Sequence, residues 1–486
     1  MSLPAVLALI LFALLAGWVV PSRWRGWVLM AGSLAAVYAL QPSSPIRNLD
    51  FWLPTAAISL TIFVWAATRP PETENHRSTL ISALLILTIV IAISLTRYLG
   101  SFCCLTPNRP PELVKVILAI GLAGGLIFIP YRLLPNRRAL PAITILVILI
   151  LFIMLKTEPL TRAASAGLRF STGQAIDLAS AADLAWLGFS YLAFRLLHVL
   201  RDYQTGKLPG YSLSEFVNYA LFFPAYTAGP IDRIQRFAND LRKPFLTNSP
   251  NSAAGPTNPA PTNLLVGGSR IVFGIFKKFA LADGLALLAL SGQNAMQVDS
   301  GLWAWALLYA YALRIYLDFS GYTDIAIGMG YLMGFKIPEN FDQPYLKQSL
   351  TSFWNSWHIT LAQWFRAYFF YPVTRALRTR FQAFPPWGII LIGQIVTMVL
   401  IGLWHGITWN FAIWGAWHGI GLFINNRWSE WTRPRMENLE TRPWLKHLLG
   451  VSGWLLTFHY VTLGWVWFAL PTPASSWKVF LQLFGF

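Results

Sequence analysis

Between Phe381 and Asn426 the chain runs for 46 residues without a single Asp, Glu, Lys or Arg. That length is enough for about two helical crossings of a bilayer whose hydrocarbon core is roughly 30 Å thick. Similar apolar runs occur earlier, at residues 3–20 and near 26–42, 51–68, 78–96, 116–131 and 140–155, with ends marked by Pro, Arg or Lys. The first has no basic residue before it and reads as a retained span rather than a cleaved leader. Over all 486 residues, 55% are hydrophobic, only 12% are charged and the mean hydropathy is +0.51. A soluble domain carries about 25% charged residues. Half that fraction cannot cover the surface of a soluble protein of this size, so the exterior must face lipid. The fold class that follows is all-α, a polytopic integral membrane protein with about 11–13 membrane-embedded helices.

The second half differs in kind. Its apolar segments, near 180–199, 214–229, 264–291, 301–333, 350–372, 387–404, 408–424 and 448–470, carry charged residues and a high density of Trp. Tilted, broken or re-entrant helices are expected there, which a membrane tolerates only where protein or a water-filled cavity covers the exposed backbone. Three regions follow: scaffold helices over 1–160, a cavity-bearing core over 161–430, and a C-terminal loop and transmembrane helix over 431–486. Within the core, residues 243–263 are almost entirely Pro, Asn, Ser, Thr, Ala and Gly, a composition that reads as a flexible loop.

The excess of 37 Lys and Arg over 20 Asp and Glu, a net +17, first suggests nucleic acid. The distribution argues against it. The basic residues fall in short clusters between apolar runs, such as Arg23/Arg25, Arg132/Arg137/Arg138, Arg233/Arg236/Arg242/Lys243 and Arg375/Arg378/Arg380. That is the pattern of loops that hold helix ends at the cytoplasmic face or lie against anionic headgroups. The stretch Asp232–Lys243 also offers a docking surface for an acidic donor or carrier protein. The two cysteines, Cys103 and Cys104, have no metal-ligand spacing, and no metal is expected.

Histidines carry the chemistry. His405 and His418 lie inside the uncharged run, and His358 precedes His405 by 47 residues. Ionisable groups at membrane depth are costly and face an interior cavity. Imidazole also titrates near neutral pH, which suits proton transfer. Trp357 precedes His358 and Trp404 precedes His405, so aromatic rings could wall off a dry site. Glycines flank His405 in Gly402-Leu403-Trp404-His405-Gly406 and permit close approach of backbone or substrate. A near-copy, Gly415-Ala416-Trp417-His418-Gly419, reads equally well as small-residue helix packing, and spacing alone leaves both histidines open. A second constellation, Arg314 to Asp324, puts Arg314 and Asp318 at i and i+4, the geometry of an ion pair on one helix face. Asp318 and Asp324 are candidates for a substrate pathway as well.

No Gly-x-Ser-x-Gly elbow, Walker loop, Gly-x-Gly-x-x-Gly or His-Glu-x-x-His is present. What remains is a histidine base in a tunnel, suited to attack of a hydroxyl on an already activated acyl donor.

Four segments resemble the membrane-bound O-acyltransferases, in particular the bacterial branch of alginate O-acetylases and teichoic-acid D-alanyl transferases. They are Leu221–Pro224 with Ala228–Arg233; Ile315–Gly328 with Pro338–Phe341; Ser352–Trp354 with Trp357–Thr360; and Gly402–Gly406 with Trp414–Gly415 and His418–Gly419. They occur in the family's order over roughly residues 180–425. The resemblance implies helices around a central funnel or tunnel, with His405 as the catalytic histidine and His358 as the second. Trp404, Trp357, Asp318, Asp324 and Asn340 become candidate substrate-binding residues. Asn355-Ser356 departs from relatives, which commonly carry basic residues there. The implied reaction takes acyl, acetyl favoured, from a cytoplasmic thioester, acetyl-CoA or an acylated carrier protein, to hydroxyls of an exported or cell-envelope polysaccharide. A separate extracytoplasmic acyltransferase is a further implied partner, no bound cofactor is needed, and the location implied is the inner or plasma membrane. D-alanyl transfer to teichoic-acid-type polymers is the alternative. A proton-coupled transporter or flippase is the alternative of another class, though the repeated half typical of transporters is absent from the sequence.

Overall fold

The computed structural model describes residues 2–69, 76–100, 103–133, 139–242, 261–436 and 443–486. Arg137, Arg138, Lys243 and most of the expected loop 243–263 lie outside the described residues. The helix Pro261–Ile275 begins within the last three residues of that loop, with proline at its first position, where no amide hydrogen is needed. Among the described residues the structure is helical, with one isolated bridge between Phe341 and Trp357 and no strand. Among the described residues, four helices are both long and apolar enough to cross a membrane: Leu49–Thr68, His76–Tyr98, Ala139–Lys156 and Pro386–His405. This is the all-α, polytopic class that the apolar runs predict.

The chain forms two compact units. The first holds residues 1–271 and 325–338. Its early helices are Leu3–Trp18, Ser22–Ala39, Leu49–Thr68, His76–Leu95, Leu113–Leu133 and Ala139–Lys156. Many of their large apolar side chains point outward, including Leu11, Leu84, Leu122 and Leu146, each more than half exposed. An outward-facing apolar surface of this extent is what lipid contact requires. Gly17 seats the first helix: a Cβ there would stand 2.0 Å from the carbonyl oxygen of Leu332.

Between residues 205 and 242 the helices are short, as expected for a broken region. Leu213–Ala220 ends just before the short Phe223–Tyr226 turn, whose Pro224 cannot continue an interior helical ladder. The exposed carbonyls at this break are satisfied from within. Arg195, 1% exposed, donates from Nη1 to the Ala220 carbonyl at 2.9 Å and from Nη2 to that of Ala225 at 2.5 Å. Two left-handed glycines lock the same corner. A Cβ on Gly188 would fall 2.5 Å from the Tyr226 ring, and one on Gly229 would fall 2.7 Å from that of Tyr191. The motif Ala228-Gly229-Pro230 is thus a close-packed brace. Beyond it, Arg236 pairs with Asp232 and Asp240, and Arg242 pairs with Glu215 at 2.6 Å, so two of the basic residues after Asp232 are engaged internally.

The second unit holds residues 272–324 and 339–486. It contains two wide-turn π segments, Phe276–Ala282 and Arg366–Phe370, each continuing an α-helix. Such segments recur at functional sites because they reorient side chains without ending the helix. The helices Pro386–His405 and Trp409–Met436 run against each other through glycines. A Cβ on Gly402 would stand 2.0 Å from the Phe411 carbonyl oxygen, one on Gly415 2.4 Å from that of Met398, and one on Gly419 2.7 Å from Ile395 Cα. Small residues let backbones approach where lipid provides no hydrophobic drive to associate.

Candidate functional site

His405 is the last residue of the helix Pro386–His405, and Gly406 continues in extended backbone. Its partly buried ring is surrounded by Trp404, Phe411, Trp414 and Phe468, at centroid distances of 4.6, 5.9, 5.8 and 4.7 Å. The aromatic wall expected from the preceding Trp is therefore present, and three of its members, Phe411, Trp414 and Phe468, come from other helices.

His358 is held differently. It caps the helix Ile359–Phe365 in left-handed backbone, φ 43° and ψ 52°, and is 3% exposed. A left-handed non-glycine residue costs on the order of 1–3 kcal/mol and persists only where its surroundings enforce it. Asn340 supplies much of that enforcement. Its carbonyl accepts from the Ile359 amide at 3.0 Å, and its Oδ1 accepts from the Thr360 amide at 3.2 Å and the Thr360 hydroxyl at 2.6 Å. The Asp342 amide donates to the Ser356 carbonyl at 3.0 Å, completing the bridge between Phe341 and Trp357. Asn340 is fully buried. Asn340, a candidate substrate-binding residue by resemblance, has its side-chain oxygen on the loop that carries His358.

Trp404 joins the two histidines. Its ring lies 6.0 Å from that of His358 and 4.6 Å from that of His405. Phe319 closes over His358 at 4.7 Å, edge to face. Trp357 sits apart from this contact chain, 5% exposed, its ring packed against Phe341, Phe353, Tyr345 and Trp465.

The acids of the helix Gly301–Leu332 are ion-paired, but not as the local spacing predicts. Asp318 pairs with Lys278 rather than with Arg314, which is exposed. Asp324 pairs with Lys277 at 2.7 Å. Gly321 explains the correction: a Cβ there would stand 2.8 Å from the Gly274 carbonyl oxygen and 3.0 Å from Lys278 Cβ. With backbones this close, the π segment delivers two adjacent lysines to the acids, and a neighbouring helix outcompetes the i, i+4 partner. The glycines at 274 and 321 were the available signal.

His418 is fully buried and accepts from Trp354 Nε1 at its Nδ1, 3.4 Å, with Trp414 and Tyr460 also against its ring. Gly415 and Gly419 on either side are the packing contacts to the preceding helix described above, the packing alternative for this near-copy. A cavity of about 240 Å³ opens in the same unit, lined among others by Asn355, Arg366, Gln394, Thr397 and Ile401. Ile401 is one helical turn before His405, and Arg366 Nη2 donates to Asn355 Oδ1 at 2.8 Å. A guanidinium thus stands beside Asn355. Among the described residues no group of three or more His, Cys, Asp or Glu could hold a metal ion.

A polytopic helical membrane protein with two histidines joined through one indole in a largely aromatic surround is the class that fold and geometry define. Residues 142–463 match the pattern of the MBOAT, membrane-bound O-acyltransferase family, and the chain belongs to that family. It is 33% identical over 304 residues to a protein named probable alginate O-acetylase AlgI from Pseudomonas aeruginosa, covering 62% of this chain and 52% of that one. It is 32% identical over 300 residues to the teichoic acid D-alanyltransferase of Streptococcus thermophilus, covering 59% of this chain and 68% of the other. A third relative, the peptidoglycan O-acetyltransferase of Helicobacter pylori, is 32% identical over 283 residues, covering 57% and 48%. The matched part of the chain spans about half the length of the alginate O-acetylases, 52% in the first case.

Proposed function

We propose that this protein is an O-acyltransferase of the cell membrane. It passes an acyl group, acetyl favoured, from a cytoplasmic thioester to a hydroxyl of an exported or cell-envelope polysaccharide. The observation that carries the reading is the contact chain His358–Trp404–His405, which gives one local site two imidazoles in a largely aromatic surround.

In this reading His405 is the base. The acceptor hydroxyl oxygen attacks the thioester carbonyl carbon while His405 takes the hydroxyl proton. A C–O bond forms, and the tetrahedral intermediate then collapses with cleavage of the C–S bond. The sulfur leaves with the bonding electrons and recovers a proton from His405, so the products are an ester and a free thiol. His358 orients the donor or polarises its carbonyl. Asn340 acts through His358, as a positioning residue. Trp404 keeps both imidazoles in register, and the aromatic surround limits competing hydrolysis by water. The cavity beside Ile401 is where we place the arm of the donor, with Arg366 and Gln394 as polar contacts. Lys277 and Lys278 neutralise Asp324 and Asp318, which stabilises the helix that brings Phe319 to His358. A carrier protein at the cytoplasmic face and a separate extracytoplasmic acyltransferase are partners consistent with this arrangement.

A second acyl group deserves a direct comparison, because the D-alanyltransferase from S. thermophilus is matched over 68% of its length. Membrane vesicles containing the full chain, supplied in parallel with radiolabelled acetyl-CoA and a D-alanyl carrier protein, separate the two. Label from acetyl-CoA appearing as alkali-labile ester on exported glycan supports acetyl transfer. Label only from the D-alanyl donor replaces it with the second reading, and label from neither removes the proposal.

A further inference from the structure

The first unit holds a cavity far along the chain from His358 and His405. Its volume is about 280 Å³, and it lies at the start of the helix Ser22–Ala39. Arg23, Arg25 and Arg242 line it, and Ala16, Leu29 and Phe335 give it an apolar side. Asp240 lines it as well, and part of the charge is paired. Arg242 is taken by Glu215 at 2.6 Å, and Asp240 accepts from Arg236 at 3.3 Å and from the Lys336 amide at 3.2 Å. Arg23 has no acidic partner among the described residues, and its guanidinium lies over the Trp24 ring, 5.9 Å from the centroid. Arg25 donates to the carbonyls of Val20 and Gly17 at 3.1 and 2.7 Å, which fixes its guanidinium at the mouth of the turn. The first turn of the helix carries no acid and no side-chain cap, so its amide groups add positive potential to the same space.

The level in the membrane is legible too. The apolar helix Leu3–Trp18 ends here, Val19 is 70% exposed, and Trp18 and Trp24 are 38% and 53% exposed. Exposed Trp beside Arg at the end of an apolar helix marks the bilayer–water boundary. A cationic rim over an apolar side, at that depth, matches a phosphate with a hydrocarbon chain attached.

We propose that this cavity binds the phosphate of an anionic phospholipid, with Arg23 as the principal cation, Arg25 as the fixed one, and Ala16, Leu29 and Phe335 receiving the adjoining glycerol and upper acyl chain. The site is separate from the transfer reaction and does not depend on the reading given above.

The test uses the full chain reconstituted into nanodiscs of phosphatidylglycerol or of phosphatidylcholine, followed by native mass spectrometry of lipid retained after release into mild detergent. Wild type should keep phosphatidylglycerol in preference to phosphatidylcholine, and Arg23→Gln should weaken that retention roughly fivefold, the effect of one surface arginine on an anionic lipid. Arg201→Gln, which removes an equal charge from an exposed position on another helix, should behave as wild type. Equal retention of the two lipids by wild type overturns the proposal, as does unchanged preference in Arg23→Gln or an equal loss in Arg201→Gln. Displacement of the retained lipid by millimolar inorganic phosphate would mean that the site takes the free anion, and overturns the lipid assignment.

Discussion

Gly402→Ala is the most informative single-methyl change in this protein. A Cβ at that position would lie 2.0 Å from the Phe411 carbonyl oxygen. Real carbon–oxygen contacts need more than 3 Å, so the helices Pro386–His405 and Trp409–Met436 must separate by about 1 Å at that level. Backbone cannot rotate away as a flexible side chain would, so the strain falls on the helix pair, at about 1–3 kcal/mol. His405 is three residues further on and would move with its helix end, while Phe411 and Trp414, which form part of its aromatic wall, sit on the other helix. A displacement of about 1 Å at reacting atoms costs on the order of 100-fold in rate. Initial rates of labelled ester formation in vesicles, normalised to folded protein by detergent size-exclusion fluorescence, should therefore fall about 100-fold while most of the protein remains folded. Gly419→Ala, with a nearest contact of 2.7 Å and fourteen residues from His405, should cost less in rate. Wild-type rates in Gly402→Ala, with unchanged thermal stability, would refute this account of the helix pair.

Other perturbations follow from the same geometry. Asn340→Leu removes the acceptor for two donors on Thr360 and should lower kcat at least about tenfold through His358, with a smaller change in donor KM, since each buried donor left unmade costs about 1–3 kcal/mol; Asn340→Asp, which keeps an acceptor oxygen for both donors, should recover much of the rate. Lys277→Met removes the ammonium that stands 2.7 Å from the buried Asp324 carboxylate and should destabilise the protein by about 3 kcal/mol in a thermal-shift assay. Adding Asp324→Leu should recover most of that loss, and failure to recover would show that the pair does more than neutralise charge. His418→Phe should lower stability and leave the transfer rate within a few-fold of wild type; a loss as large as that of a His405 variant would reverse the order of the two histidines.

Much of the fold was legible in the chain because burial in lipid leaves few choices. Uncharged runs such as 140–155 must be helices, since no other open segment satisfies its own backbone there. The broken region around Pro224 and the small-residue seam at Gly402, Gly415 and Gly419 were legible for the same reason. The environment of His405 was half legible. Trp404 adjoins it in sequence, whereas Phe468 reaches it from a helix more than sixty residues away. Least legible was the restraint on His358. Its left-handed backbone depends on Asn340, eighteen residues earlier, through hydrogen bonds that no local pattern encodes. The Arg314–Asp318 pairing failed for a related reason. Local i, i+4 geometry supplies only a few tenths of a kcal/mol, so a lysine from a close-packed neighbouring helix displaces it easily.

The central claim is that His405 removes the acceptor proton. Vesicles bearing wild type, His405→Ala or His418→Phe, matched for folded protein, would be given labelled acyl thioester and glycan acceptor, and ester on the glycan counted over time. A base contributes about 10²–10⁴-fold, so the account predicts that His405→Ala loses at least about 100-fold while His418→Phe keeps most of its rate. Labelled ester formed at the same rate by His405→Ala and wild type would contradict it.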